Sequence, residues 1–205
     1  MTFLLRLPFM LGFLLVMVVS NWLAGTLGGM LPPHVLTVWG ISHQSILDGD
    51  VFRLMTGTFL SHDFGMLIRQ ICFAAVVIGA YEWSEGTWRA IVVFFSIDIL
   101  GSILVLFVIL PLLVGLPYAV SSAELLAHDV GMSAGGFGLI GALFAKNSRG
   151  WLLLALTFIA ISIKIWIRFE PVPDTAHLLC LLLGFVLQSI LNYRRAIERS
   201  PNPKN

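Results

Sequence analysis

Six apolar stretches, each bounded by polar or turn-forming residues, divide the chain at about residues 3 to 23, 64 to 83, 89 to 112, 132 to 146, 150 to 169 and 175 to 193. A helix needs ~20 apolar residues to cross the hydrocarbon core of a bilayer, so the pattern predicts six membrane-spanning helices with both termini on one side. Arg6, Arg89, Lys146, Arg149, Arg194, Arg195, Arg199 and Lys204 then share the side of the termini. The opposite loops hold Asp48, Asp50, Asp63, Glu124, Asp129, Glu170 and Asp174. Because cytoplasmic loops carry the excess of Lys and Arg, the termini are expected in the cytoplasm.

The first run, Phe3 to Leu23, could also be a long signal peptide with Arg6 as its positive end. Its length and the lack of a small-x-small cleavage site after Asn21-Trp22 favour a membrane helix. Ala24 to His62 is too long for a turn. With Pro32, Pro33 and the apolar piece Val51–Leu60, it reads as a structured loop lying partly in the membrane interface. The third run continues past Pro111 to about Leu116, so that helix is tilted or its end dips into the loop before Ser133. No repeat or linker interrupts residues 1–199, which are expected to form one membrane domain, followed by a polar, disordered tail at 200–205.

Composition agrees: 58% of residues are hydrophobic and 11% charged, against about 45–50% apolar in soluble domains. The formal charge of +1 gives no reason to expect a nucleic-acid partner. Cys72 and Cys180 fall inside apolar helices without a disulfide spacing, and are expected to be buried free thiols.

The stretch Asp129–Ala142 carries the candidate chemistry. Ser133 stands at the start of a helix whose Gly131, Gly135, Gly136, Gly138 and Gly141 leave little bulk on one side, a small-xxx-small pattern that lets another helix come close. His177 and Gln70 lie near the outer ends of the sixth and second helices, at the expected depth of Ser133. Polar groups inside a membrane bundle are rare and need partners. A hydroxyl beside an imidazole suffices for nucleophilic catalysis, with an amide N–H and a backbone N–H for the oxyanion.

Other motifs weigh less. Gly136-Phe-Gly-Leu-Ile-Gly141 spells a dinucleotide fingerprint, but no strand precedes it and no acid follows at the right distance, so no cofactor is expected. His62-Asp63 and His128-Asp129 match no zinc spacing, and no metal is expected. His128 is a rival base for Ser133, ranked behind His177. Arg69 can snorkel outward, whereas Asp98, midway along the third helix, needs a buried partner and admits a transporter-like reading.

The chain resembles the rhomboid intramembrane serine proteases of the minimal six-helix bacterial type. The family's Gly-x-Ser-Gly-x-x-Phe-Gly-x-x-Gly pattern corresponds to Gly131 to Gly141, with Ala134 after the serine and Phe137 in place. Its Ala-His-x-x-Gly-x-x-x-Gly pattern corresponds to Ala176 to Gly184, with Cys180 at the first glycine. A Trp-Arg followed by Thr and Phe in the first outer loop is matched by Phe52-Arg53, Thr56 and Phe59. Aligned without gaps from Arg53 to Glu82, the family's His-x-x-x-Asn of helix two falls on Met66 and Gln70, and its upstream His on Ser61, with His62 one place along.

The resemblance implies an all-α six-span bundle in a bacterial inner membrane and a Ser133/His177 dyad with Gln70 and the Ser133 N–H at the oxyanion. It further implies dyad packing through Gly131, Ala134, Phe137, Cys180 and Gly184, with Arg53 anchoring the loop. Substrates would be single-span membrane proteins. The Met66, Ala134 and Cys180 departures leave open an inactive relative that binds transmembrane segments, with Ala134 and Cys180 expected between helices four and six.

Overall fold

A computed structural model describes residues 6–116, 120–121 and 123–199. The expected tail at 200–205 and the first residues of the 3 to 23 run lie outside them. The described chain is helical: α1 Pro8–Ala24, α2 Pro33–Trp39, α3 His43–Leu47, α4 Arg53–Thr56, α5 Phe64–Glu85, α6 Thr87–Leu104, α7 Leu110–Val114, α8 Ala123–Leu126, α9 Ser133–Phe144, α10 Gly150–Ile167 and α11 Pro171–Arg199. No sheet forms among the described residues; pairing is limited to isolated bridges, Met30 with Asp63 and Ile41 with Asp129.

Four helices are long and apolar enough to cross a bilayer: α5, α6 continued through α7, α10 and α11. The chain is therefore a multi-pass membrane protein. Two further apolar helices, α1 and α9, are shorter, at 17 and 12 residues. Exposed apolar side chains such as Leu156, Ile159 and Ile163 cover α10 between exposed Trp151 and Trp166, the tryptophans sitting where aromatic belts mark the membrane surfaces.

Local chemistry sets the helix ends. Asp63 caps α5 by accepting the Met66 N–H at 2.7 Å, and Gly25, at φ 85°, turns the chain out of α1. Pro171 and Pro173 fit the first turn of α11, where an N–H has no intrahelical partner, so α11 starts earlier than the 175 read from hydropathy. Pro111 is accommodated because residues Val105–Ile109 widen into a π turn between α6 and α7. A wider turn relieves the clash that a proline ring makes with the carbonyl one turn back.

At one end, Glu85 binds Arg89 at 2.9 Å, Lys146 at 2.5 Å and Arg195 at 2.5 Å, tying α5, α6, the turn after α9 and α11 together. Buried acids also cap helices from outside them. Glu82 of α5 accepts the Phe9 and Met10 N–H groups at 2.9 and 2.8 Å, filling the role that Leu7 at the start of α1 cannot. The long first loop packs into short helices. Arg53 donates to the Thr37 carbonyl at 2.5 Å and to Asp50 at 2.6 Å, holding α2 to α4.

α9 lies against α11, α6 and α5. A Cβ on Gly184 would collide with the Gly138 carbonyl, and one on Gly141 with the Leu181 carbonyl, so the α9 and α11 backbones are in direct contact. Two expectations about the cysteines change. Cys72 is free but exposed. Cys180 is buried, yet its sulfur turns to Gly101 and the Ile97 carbonyl of α6 rather than to α9.

Candidate functional site

Ser133 is the first residue of α9, and Gln70 and His177 lie in the second turns of α5 and α11. All three start from the end of the bundle opposite Glu85. They meet at a cavity of about 710 Å³ lined by Ser133, His177, Gln70, Met66, Asp129 and Glu170 among others. Residues some 60 and 40 positions distant from Ser133 in sequence thus share one wall-to-wall space with it.

The His177 ring stacks on Phe137, centroids 4.2 Å apart and planes 20° apart. Phe137 is one turn beyond Ser133 on α9, so the stack sets the imidazole's height against the serine. His177 Nε2 is buried with no hydrogen-bond partner among the described residues, so no bond joins it to Ser133. Asp174, one turn earlier, is committed to Lys164 and the Glu170 N–H, both within 2.8 Å. His177 therefore has no orienting carboxylate among the described residues.

Gln70 is also buried, and its Nε2 likewise lacks a partner there. Ser61 orients it, donating from Oγ to Gln70 Oε1, and the Ser61 N–H is in turn held by Asn21 Oδ1 at 3.0 Å. The amide nitrogen lies beside Gly131: a Cβ there would stand 2.6 Å from Gln70 Nε2 and 3.0 Å from Met66 Cε. Gly131, at φ 134°, has a backbone that side chains rarely adopt and so leaves room for the amide. An oriented, buried donor with nothing to bind is costly unless a ligand oxygen completes it.

The first loop and the approach to α9 are joined three ways. Ile41 and Asp129 exchange backbone hydrogen bonds at 2.8 and 2.9 Å, Gly131 N–H donates to the Gly57 carbonyl at 2.9 Å, and His62 Nε2 lies 3.0 Å from Asp129 Oδ1. The hydrogen bond to Asp129 holds the His62 pKa above its ordinary 6.5 despite burial. A pKa raised in the folded state gives stabilisation that is complete below about pH 6.5 and is lost as pH rises through the raised value. The thermal midpoint in detergent should fall over that range, and His62→Gln should flatten the fall. An unchanged slope in the variant would exclude this pair as its source.

His128, the rival base, lines a different cavity with Glu124, Arg168 and Phe169. Burial and then the Arg53 charge push its pKa below the ordinary value. No group of three or more His, Cys, Asp or Glu residues that could hold a metal ion occurs among the described residues. Arg69 is exposed on the cavity rim. Ser61 and Asn21 were not apparent as site residues from sequence; only the position of Ser61 at the family's upstream His hinted at it.

These features define a multi-pass helical membrane protein with a hydroxyl, an imidazole and an amide on one cavity. No protein-family model matches the chain, and comparison with curated proteins finds no match.

Proposed function

We propose that the protein is a rhomboid-like intramembrane serine endopeptidase in which α1 and α9 also cross the bilayer and both termini are cytoplasmic. The observation that carries the proposal is the shared cavity of Ser133, His177 and Gln70, in which the imidazole nitrogen and the amide nitrogen are buried and unpartnered. The length of α9 supports it. At 12 residues and ~1.5 Å per residue it spans about 18 Å, less than the ~30 Å hydrocarbon core. Its serine end then lies below the outer membrane surface, where water can follow.

In the proposed reaction Ser133 Oγ attacks the scissile carbonyl carbon as His177 takes the hydroxyl proton. The tetrahedral oxyanion is held by the Ser133 N–H, which has no intrahelical partner at the first position of a helix, and by Gln70 Nε2. His177 returns the proton to the leaving amine, and water then releases the acyl group by the same steps reversed. Substrates are single-span proteins whose helix unwinds near the outer surface, since an amide bonded within a helix cannot reach Ser133. Loss of one oxyanion donor costs about 100- to 1,000-fold. Gln70→Ala should lower turnover by that order with binding of the membrane peptide retained, and unchanged turnover would remove Gln70 from the reaction.

A non-catalytic protein that binds transmembrane segments is the second reading, favoured by the missing Ser133–His177 bond and by Met66, which has no donor to offer an oxyanion. A serine-directed fluorophosphonate separates the two. Labelling of the native protein in detergent that vanishes in Ser133→Ala and in His177→Ala supports the protease. Absence of labelling beside intact binding of a membrane peptide supports the binding protein.

A further inference from the structure

α9 begins without a cap of its own. Met132 occupies the cap position and has no side-chain acceptor for the exposed N–H groups of the first turn. The acceptor comes from another helix. Asp98 of α6, 3% exposed, accepts the Gly135 N–H on Oδ1 at 2.8 Å, as Glu82 does for α1. Its second oxygen, Oδ2, lies 2.7 Å from Thr58 Oγ1 in the first loop. One carboxyl group thus joins the third span, the loop and the turn that carries Ser133.

The hydrogen count at Thr58 is informative. Its Oγ1 lies 2.7 Å from Asp98 Oδ2 and 3.1 Å from the Leu54 carbonyl oxygen, but a hydroxyl has one proton to donate. A carbonyl can only accept, so when Thr58 donates to Leu54 the shorter contact to Asp98 needs a proton from the carboxyl, and when Thr58 donates to Asp98 the 3.1 Å contact to Leu54 carries no hydrogen. With the acid neutral, every group is satisfied: Gly135 N–H to Oδ1, Oδ2–H to Thr58, Thr58 to Leu54. With the acid ionised, one of the two Thr58 contacts is lost and a full charge is buried.

The charged and titratable neighbours do not compensate such a charge. Arg53 and Asp129 line a cavity of about 50 Å³ next to Asp98, but the two Arg53 Nη atoms are bound to Asp50 and to the Thr37 and Gly40 carbonyls, and its buried, unpartnered Nε makes no bond to Asp98. Cys180 of α11 faces the neighbouring Ile97 carbonyl. No ion pair to Asp98 occurs among the described residues. A buried charge without a partner is strongly disfavoured. It would also stand within one turn of the place where the oxyanion is to form, and would oppose it.

We propose that Asp98 is a neutral carboxylic acid that caps α9 from α6 and so fixes Ser133: a positioning residue, a role that rests on the protease reading. The protonation state itself does not rest on it. Infrared spectra of the full-length protein in detergent at neutral pH should contain the C=O band of a protonated carboxyl that is missing from Asp98→Asn. That band should shift in Thr58→Val, which removes its acceptor. Because asparagine keeps one acceptor and one donor, Asp98→Asn should label with fluorophosphonate within about 3-fold of native, whereas Asp98→Leu should lose at least about 10-fold.

A spectrum with no difference between native and Asp98→Asn would overturn the neutral acid. Equal loss of labelling in Asp98→Asn and Asp98→Leu, with the thermal midpoint of Asp98→Asn unchanged, would overturn the positioning role and point to a needed charge. If the native protein does not label at all, the protease reading fails. The infrared band and a higher thermal midpoint of Asp98→Asn than of Asp98→Leu then still decide the neutral cap.

Discussion

Ser133→Ala and His177→Ala are each expected to cut turnover of a single-span substrate in liposomes by roughly 10,000-fold or more, and the double variant to lose little beyond either single one. The reason is that in the proposed reaction the two groups perform one step. Without the hydroxyl there is no nucleophile, and without the imidazole the hydroxyl keeps its proton at neutral pH. On the same proposal peptide binding would rely on the rest of the cavity wall, so KM should change much less than kcat. His177→Ala carries a second effect, because it removes the ring stacked on Phe137. His177→Phe keeps that stack and should be equally inactive. Independent, multiplying losses in the double variant would mean that the two residues do not act together.

How much of this was legible in the sequence follows from what a linear pattern can encode. The helix with Ser133 at its mouth could be read because small residues at every fourth position have one structural use in an apolar run. That Gln70 and His177 lie in the early turns of their helices could be read because hydropathy places a helix start to within a few residues, as with α11, which begins at Pro171 and not at 175. Side-chain rotation was read less well. Cys180 was expected against α9, yet three residues from His177 is about 300° round the helix, which swings it roughly 60° off the His177–Gly184 line and onto α6. Cys72 is two residues from Gln70, about 200° round, and so faces outward from α5 while Gln70, Ala74 and Tyr81 face in.

Contacts made through space by residues remote in sequence had no signature. Asp98 stands 37 residues before the N–H that it accepts, and Glu82 stands 72 after one of its own. An acid in an apolar run signals only that a partner exists. Which helix end it caps depends on packing, and packing is set by the glycines of α9.

Those glycines supply the second large effect. Gly141→Val is expected to destabilise the protein by about 3 kcal/mol, the upper part of the usual range for overpacking. The new Cβ would meet the Leu181 carbonyl, and its neighbour is the Phe185 N–H. Both are backbone, which cannot rotate away as a side chain does, so α9 and α11 must separate. Separation moves Ser133 from His177, and a misplacement of ~1 Å costs about 100-fold in rate. Labelling should therefore fall even at temperatures where Gly141→Val remains folded. Gly12→Ala in α1 is the matched control: no atom lies within 4 Å of its Cβ, so it should stabilise by about 0.4–1 kcal/mol and leave labelling unchanged. Thermal unfolding in detergent, read beside labelling, measures both variants. A Gly141→Val protein as stable and as reactive as Gly12→Ala would mean that α9 and α11 do not touch at Gly141, and the geometry that brings the serine and the imidazole to one cavity would have to be abandoned.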